Sequence, residues 1–398
     1  GSKFDVLHPN EIKGSIDSLK GMSEIKEEII QLADILKNRH KYAEYNLEKK
    51  FNIMFSGPAG TGKTKIAGYL AKYLDLPIIL STGNVETGFI GGGANTLKSL
   101  WKKANQIAMN DKNLGCIIFI DEAQILLKKR GGGHASESKF ADDASNELLS
   151  LLDGVNTKYN TDIIVILASN FDDSNFSVDE AMERRFKKKL YFSLPNKKER
   201  TELFEFFLTK IDKSKIVEDI DYDYFGKVSS GLSPAKIETV IEEASLIAIR
   251  KEEKIDKKIL FKAFEQITVG HTDRKKSEDK EDMRERIIYH ELGHFINSYV
   301  FYMEKYNNDI KLVEEKIPFL KISSEAISKH NALGYVLSDN ESDDLETKSS
   351  LEQDVIALYG GLASESFFYG KENVSTGSYN DLEKASKILN NMVNNLGM

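Results

Sequence analysis

At 398 residues the chain is long enough for two or three compact domains, each able to bury its own core. Its 55 Lys and Arg against 63 Asp and Glu give a net charge of -8, so no global basic field exists to hold a nucleic acid, and none is expected as a partner. No run of 18 or more apolar residues occurs, and the N-terminal stretch lacks the apolar core of a signal peptide. The single cysteine, Cys116, lies in the apolar run 116–120 and reads as a buried, inert thiol suited to a reducing compartment.

In chain order, residues 23–38 place Ile25, Ile29, Ile30, Leu32 and Ile35 near helical spacing, with Ser23 as the expected cap. Apolar and β-branched runs follow at 51–55, 77–80, 116–120, 163–168 and 189–192, with helical segments between them at 63–74, 95–109 and 142–152. Strands alternating with helices predict a doubly wound, mainly parallel sheet over residues 1–195. After Pro195 the pattern turns helical at 196–211, 221–229, 233–250 and 256–266, which predicts a small helical subdomain over 196–270. Residues 271–282 are almost entirely charged and read as a solvated linker, and a second domain, mainly α-helical, is expected over 283–398.

Two motifs carry chemistry. The first is Gly57, Pro58, Ala59, Gly60, Thr61, Gly62, Lys63 and Thr64, between an apolar strand and a helix. Such a loop turns backbone N–H groups toward phosphates, Lys63 reaches the β and γ phosphates, and the Thr64 hydroxyl suits Mg²⁺, so ATP with Mg²⁺ is the expected ligand. Asp121 and Glu122 end the run 116–120, where Asp121 can hold Mg²⁺ through water and Glu122 can polarise an attacking water. Asn170 ends a further apolar run and is placed to orient water at the γ phosphate, while Arg184 and Arg185 precede the next strand and are candidates to reach a neighbouring subunit's nucleotide.

The second motif is His290, Glu291, Leu292, Gly293, His294. Histidines at i and i+4 share one helix face, so two imidazoles converge on one Zn²⁺ while Glu291 stands beside them to activate water. A catalytic zinc needs a third protein ligand, and spacing alone nominates Glu314, Glu315, Glu365 and Asp381 without choosing among them. Residues 332–338 have strand character and offer an edge for an extended peptide.

The stretch from about residue 17 to 267 resembles the AAA+ ATPases, in particular the module of the FtsH family of ATP-dependent zinc proteases, through GPAGTGKT, CIIFIDEA, NELLSLLDGV, ILASN and SSGLSPAKIETVIEEASL. LYGGLASESFFYG and VSTGSYNDL extend the resemblance to that family's protease motifs. It implies an α/β P-loop domain with a helical lid, followed by a mainly helical zinc metallopeptidase domain. It implies Asp381 as third zinc ligand with Glu365 supporting the site, a homo-hexameric ring with arginine fingers acting in trans, and a pore loop in which Phe89, Ile90 and Gly91 grip polypeptide substrate. Gly334 and Tyr335 match the substrate-side strand. It further implies further helices beyond the one that follows Asp381, and a cytoplasmic location at a bacterial membrane through an N-terminal anchor outside this sequence. Two positions depart from the family: Arg-Pro-Gly-Arg-Phe is contracted to Glu183, Arg184, Arg185, Phe186, and Gln124 stands where an acidic residue is common.

The expectation is therefore an ATP-dependent zinc endopeptidase that unfolds and threads proteins. The alternative is a remodelling factor or chaperone with an inactive or structural metal domain, against which the intact His290, Glu291, His294 and Asp381 argue. A metallopeptidase independent of ATP is disfavoured by the intact Lys63, Asp121 and Glu122.

Overall fold

The alternation of side chains across each strand decides the architecture of the N-terminal part. The computed structural model describes residues 4–47, 50–83, 92–127, 135–154, 161–170, 178–268, 281–317, 319–327, 332–337 and 347–398. These fall into two units, residues 1–195 with 231–237 and residues 196–230 with 238–398. In the first, strands β1 (Asp5–Leu7), β2 (Phe51–Ser56), β3 (Ile78–Thr82), β4 (Gly115–Asp121), β5 (Asp162–Ser169) and β6 (Lys188–Tyr191) form one sheet in the order β1-β3-β4-β5-β2-β6. Every pairing is parallel except β1 with β3.

Successive residues point to opposite faces, so each central strand feeds two cores. Phe51, Ile53 and Phe55 of β2, Ile117 and Phe119 of β4, and Ile164 and Ile166 of β5 pack beneath α1 (Ser23–Lys37) and α2 (Lys63–Leu74). Met54, Ile118, Ile120, Val165 and Leu167 face α3 (Gly92–Asn110), α4 (Gln124–Leu127) and α5 (Ala135–Asp153) on the other side. The doubly wound, mainly parallel sheet expected from the sequence is what forms. Ser23 is the first residue of α1 rather than its cap: Met22 flanks the helix, with no side-chain capping bond.

The parallel arrangement brings the carboxyl ends of β2, β4 and β5 to one edge, and the order reverses beside β2, the usual place for a ligand crevice in an open α/β sheet. Ser56 pairs with Ser169, so Gly57 and Asn170 follow in register, and the Ala123 N–H donates to the Ala168 carbonyl at 2.8 Å, tying the β4 end to β5. A short helix, α6 (Glu180–Glu183), precedes β6; Asp179 caps it, accepting from the N–H groups of Ala181 and Met182.

The following helices are α7 (Lys197–Thr209), α8 (Tyr222–Val228), α9 (Pro234–Lys251) and α10 (Lys257–Thr268). Then come α11 (Glu281–Lys305), α12 (Ile310–Lys316), an antiparallel pair β7 (Phe319–Ile327) and β8 (Ala332–Leu337), α13 (Lys348–Tyr369) and α14 (Tyr379–Asn394). Glu281 and Asp282, which composition assigns to the charged linker, form the first turn of α11. No described helix is long and apolar enough to cross a membrane.

The centre of the last part is a close crossing of α11 and α13. A Cβ on Gly293 would stand 2.2 Å from the Gly360 carbonyl oxygen, and one on Gly360 would stand 2.5 Å from that of Gly293, so only two glycines permit the backbones to approach this far. Thr347 and Ser350 cap α13 reciprocally, and Gly370 at φ +86° ends it, turning the chain toward α14.

Candidate active sites

In the first unit the phosphate loop depends on positive φ at Gly57 (+135°), Gly60 (+75°) and Gly62 (+96°). Gly57 is doubly required, since a Cβ there would lie 2.1 Å from the Phe192 carbonyl oxygen. Lys63 opens α2 and folds back, its Nζ donating to the carbonyls of Gly57 at 2.8 Å and Pro58 at 2.7 Å, while the Thr61 hydroxyl also donates to Pro58 at 2.8 Å. These donors occupy the loop's carbonyls and leave backbone N–H groups as the loop's offering to an anion. Burial pushes the Lys63 ammonium down to about 8, against the pull of nearby Asp121.

At the β4 end Glu122 adopts φ +51°, a conformation that costs a residue with a Cβ about 1–2 kcal/mol. Its N–H donates to Asp121 Oδ1 at 2.8 Å, and Gly83 packs so closely on the Glu122 carbonyl that a Cβ there would lie 2.8 Å away. Asn170 follows β5, half-buried, and Thr64 is exposed at the head of α2.

Arg184 and Arg185 part company. Arg185 is bound in a fork to Asp153, Nε to Oδ1 at 2.7 Å and Nη2 to Oδ2 at 2.9 Å, and Nη1 donates to the Ala181 carbonyl. Arg184 is exposed, its only described ion pair being with Glu180 one turn away at 2.5 Å. Phe89, Ile90 and Gly91 lie outside the described residues.

Sequence reasoning did not single out the wall of this loop. The Ala235 N–H donates to the Gly60 carbonyl at 3.1 Å, and Ser233 caps α9 by accepting from the Lys236 N–H at 3.2 Å; a Cβ on Gly60 would meet both Ala235 and Ser233 at 2.9 Å. The available signal was the Ser233-Pro234 pair, a helix cap followed by Pro at the first position.

In the second unit His290 and His294 lie one turn apart on α11, and Asp381 in the first turn of α14 meets them. His290 Nε2 and His294 Nε2 are 3.1 Å apart, and Asp381 Oδ2 is 3.3 and 3.2 Å from them. Among the described residues these three form the one group with metal-ligand geometry. Glu314 and Glu315, which spacing also allowed, are exposed on α12; Glu365 touches the back of His290 instead.

The outer ring nitrogens settle what the inner ones present. The Ala357 carbonyl can only accept, so His294 Nδ1, 2.8 Å away, carries the proton. His290 Nδ1 donates to Glu365 Oε1 at 2.9 Å. Both Nε2 atoms therefore turn lone pairs toward Asp381, and three acceptors at this spacing repel one another unless a cation stands among them. A tetrahedral zinc with bonds of about 2.0–2.1 Å sets its ligand atoms about 3.3–3.4 Å apart, close to the observed triangle.

The electrostatics follow. Burial works against ionisation of Asp381; when His290 and His294 are protonated in place of a bound cation, their Nε2–H groups donate to it and outweigh that cost, holding its carboxyl well below the usual range. Burial likewise disfavours charge on each histidine, yet Asp381 raises both, helped by Glu365 at His290 and Ala357 at His294. Glu291 is raised, by burial first and by the charge of Asp381, with the histidines opposing. Gly334 and Tyr335 lie in β8, paired with Ile322 and Lys321 of β7, and the backbones of both strands run beside α11.

Gly361 bears on the same ring. A Cβ there would fall 2.3 Å from His290 Cε1 and 2.5 Å from its Nε2. Gly361→Ala is expected to displace the imidazole and lower zinc affinity by at least about tenfold, the scale on which ligand orientation acts, as read by chelator competition.

The chain matches the ATPase family associated with various cellular activities over residues 53–194 and peptidase family M41 over residues 278–398. It is 34% identical over 384 residues to a protein of Malacoplasma penetrans (strain HF-2) named ATP-dependent zinc metalloprotease FtsH, covering 95% of this chain and 43% of the relative. Relatives of the same name from Aster yellows witches'-broom phytoplasma (strain AYWB) and Haemophilus influenzae are each 30% identical over all of this chain and 55% and 59% of their own. The chain spans about half the length of these curated relatives.

Proposed function

Because the chain belongs to the FtsH family, joining an AAA ATPase module to an M41 peptidase module, we propose that it is an ATP-dependent zinc endopeptidase that unfolds protein substrates and hydrolyses their peptide bonds. One observation carries the peptidase reading: two Nε2 lone pairs and a carboxylate oxygen share a triangle of 3.1, 3.2 and 3.3 Å, with both Nδ1 atoms tied behind. His290, His294 and Asp381 would hold zinc, which supplies a Lewis acid that polarises a peptide carbonyl and eases deprotonation of water. Glu291 accepts the proton of the attacking water at a carboxylate oxygen and delivers it to the amide nitrogen as the C–N bond breaks. Gly334 and Tyr335 in β8 are the proposed seat of the substrate backbone, which would pair as an added strand.

In the ATPase module the loop N–H groups would cradle the phosphates of ATP, with Lys63 transferring its bonds from the Gly57 and Pro58 carbonyls to phosphate oxygens. Thr64 and Asp121 would hold Mg²⁺, which neutralises phosphate charge. Glu122 orients the attacking water and Asn170 faces the γ phosphate. Of the two arginines, Arg184 is the better candidate to act on a neighbour's nucleotide, since Asp153 engages both ends of the Arg185 fork. Action in trans requires a ring, and the family supports a homo-hexamer with Phe89, Ile90 and Gly91 at its pore, held at the cytoplasmic face of a membrane by an anchor outside this sequence.

The test is degradation of an unfolded and a tightly folded protein with ATP, before and after removal of zinc by a selective chelator. Zinc removal is expected to stop cleavage of both, leave ATP hydrolysis in place, and be reversed by added zinc. Undiminished cleavage by the zinc-free protein would overturn the proposal.

A further inference from the structure

Behind the ligand triad stands a carboxylate whose oxygens are both doubly engaged. Glu365 is 1% exposed; its Oε1 accepts from His290 Nδ1 at 2.9 Å and from the Ser375 hydroxyl at 2.9 Å, and its Oε2 accepts from the Ser375 N–H at 2.8 Å and from Arg286 Nη1 at 3.2 Å. Arg286 lies one turn before His290 on α11. The same Nη1 donates to the Asn373 carbonyl at 2.5 Å, and the guanidinium carbon stands 4.2 Å above the Tyr369 ring. All three of these partners belong to residues 365–375, the stretch that leaves α13 and leads into α14, where Asp381 waits six residues beyond Ser375.

A buried carboxylate needs its donors, and a planar guanidinium can bridge two acceptors while stacking on an aromatic face. We propose that Arg286 is a positioning residue that assembles the metal triad in advance: by pinning Glu365 and the 369–375 connection to α11, it fixes the Nδ1–H tautomer of His290 and delivers Asp381 opposite its Nε2. This rests on the reading that His290, His294 and Asp381 bind metal. Nothing in the helical histidine motif requires an arginine four residues before it, and the contact joins parts of the chain 79 and 87 residues apart.

The full chain, Arg286→Gln, Arg286→Lys and a His290→Ala control are compared in two measurements: zinc affinity by competition with a chromogenic chelator, and side-chain ¹⁵N signals of the metal-free protein, which distinguish histidine tautomers and are resolvable with seven histidines. Arg286→Gln is expected to lower zinc affinity by about 10- to 100-fold, as loss of a supporting contact behind a ligand does, and to change His290 from one tautomer to a mixture. Arg286→Lys keeps the charge but cannot span Glu365 and Asn373, so it should retain the tautomer and lose less affinity than the glutamine variant, though measurably. Wild-type affinity and tautomer in Arg286→Gln, with binding lost in His290→Ala, overturns the proposal and leaves the metal reading intact. If the glutamine variant does not fold, wild-type affinity in Arg286→Lys overturns it. Unchanged zinc binding in His290→Ala instead overturns the metal reading itself.

Discussion

Glu291→Gln is expected to lower peptide-bond hydrolysis by about 10²–10⁴-fold, the range that one positioned general base contributes, while zinc content and ATP hydrolysis stay as in the wild type. Glutamine keeps the shape of the side chain and can still accept a hydrogen bond, but it cannot take a proton from water. The substitution leaves the ligand triangle untouched, because His290 and His294 are oriented from behind by Glu365 and Ala357 and from the front by Asp381. Loss of cleavage with zinc retained separates proton transfer from metal binding, which His290→Ala would remove together. Measurement of zinc content, ATPase rate and cleavage of an unfolded protein on the same preparation decides the point. Cleavage within a factor of a few of wild type would remove Glu291 from the mechanism.

Contiguity explains what was legible in the sequence. The phosphate loop and the two histidines with Glu291 are local, so backbone periodicity alone brings their side chains together, and the apolar strand ending in Asp121 and Glu122 reads the same way. The continuous apolar runs likewise showed strands buried on both faces, and the structure divides them by the strand's period of two, Ile53 and Phe55 to one core and Met54 to the other. Asp381 was not open to such a reading. It lies 91 residues beyond His290, spacing offered Glu314, Glu315 and Glu365 on equal terms, and it was the family resemblance, through VSTGSYNDL, that chose it; the packing of α14 on α13 is what brings it to the histidines. Arg286 is a more telling case: in sequence it is one charge among many before the helical motif, and its meaning depends on the return of residues 365–375. β7 was missed because its pairing with β8 is irregular between Ile322 and Ile327, which breaks the alternation that marks a strand, and β1 because three residues are too few to show a period. The wall that Ser233 and Ala235 build over Gly60 joins residues 173 and 175 positions apart, beyond what any local pattern records.

Glu122→Gln should separate the two chemistries from the other side. ATP hydrolysis is expected to fall by about 10²–10⁴-fold, the loss that follows removal of a residue activating water, with ATP binding retained. Degradation of a tightly folded protein should fall with it, while a short unstructured peptide that needs no unfolding is still cut. At Glu122 φ +51° costs about 1–2 kcal/mol relative to a residue without strain, and glycine would relieve it. Six other described non-glycine residues share positive φ, so it is the place beside Asp121 at the end of β4 that favours this role for Glu122. Lys63→Met supplies the contrast, since it should abolish nucleotide binding as well as hydrolysis. In the nucleotide-free protein the ammonium is pushed by burial down to about 8, so the folded state binds that proton less readily than the unfolded chain. The resulting cost to stability is present at neutral pH and relieved as pH rises from about 8 toward the ordinary lysine value. Without nucleotide, Lys63→Met should therefore melt no lower than the wild type at neutral pH despite its inactivity, whereas ATP with Mg²⁺ should raise the melting temperature of the wild type and of Glu122→Gln but not of Lys63→Met. Folded-protein degradation that survives in Glu122→Gln alongside abolished ATP hydrolysis would break the proposed coupling between the modules.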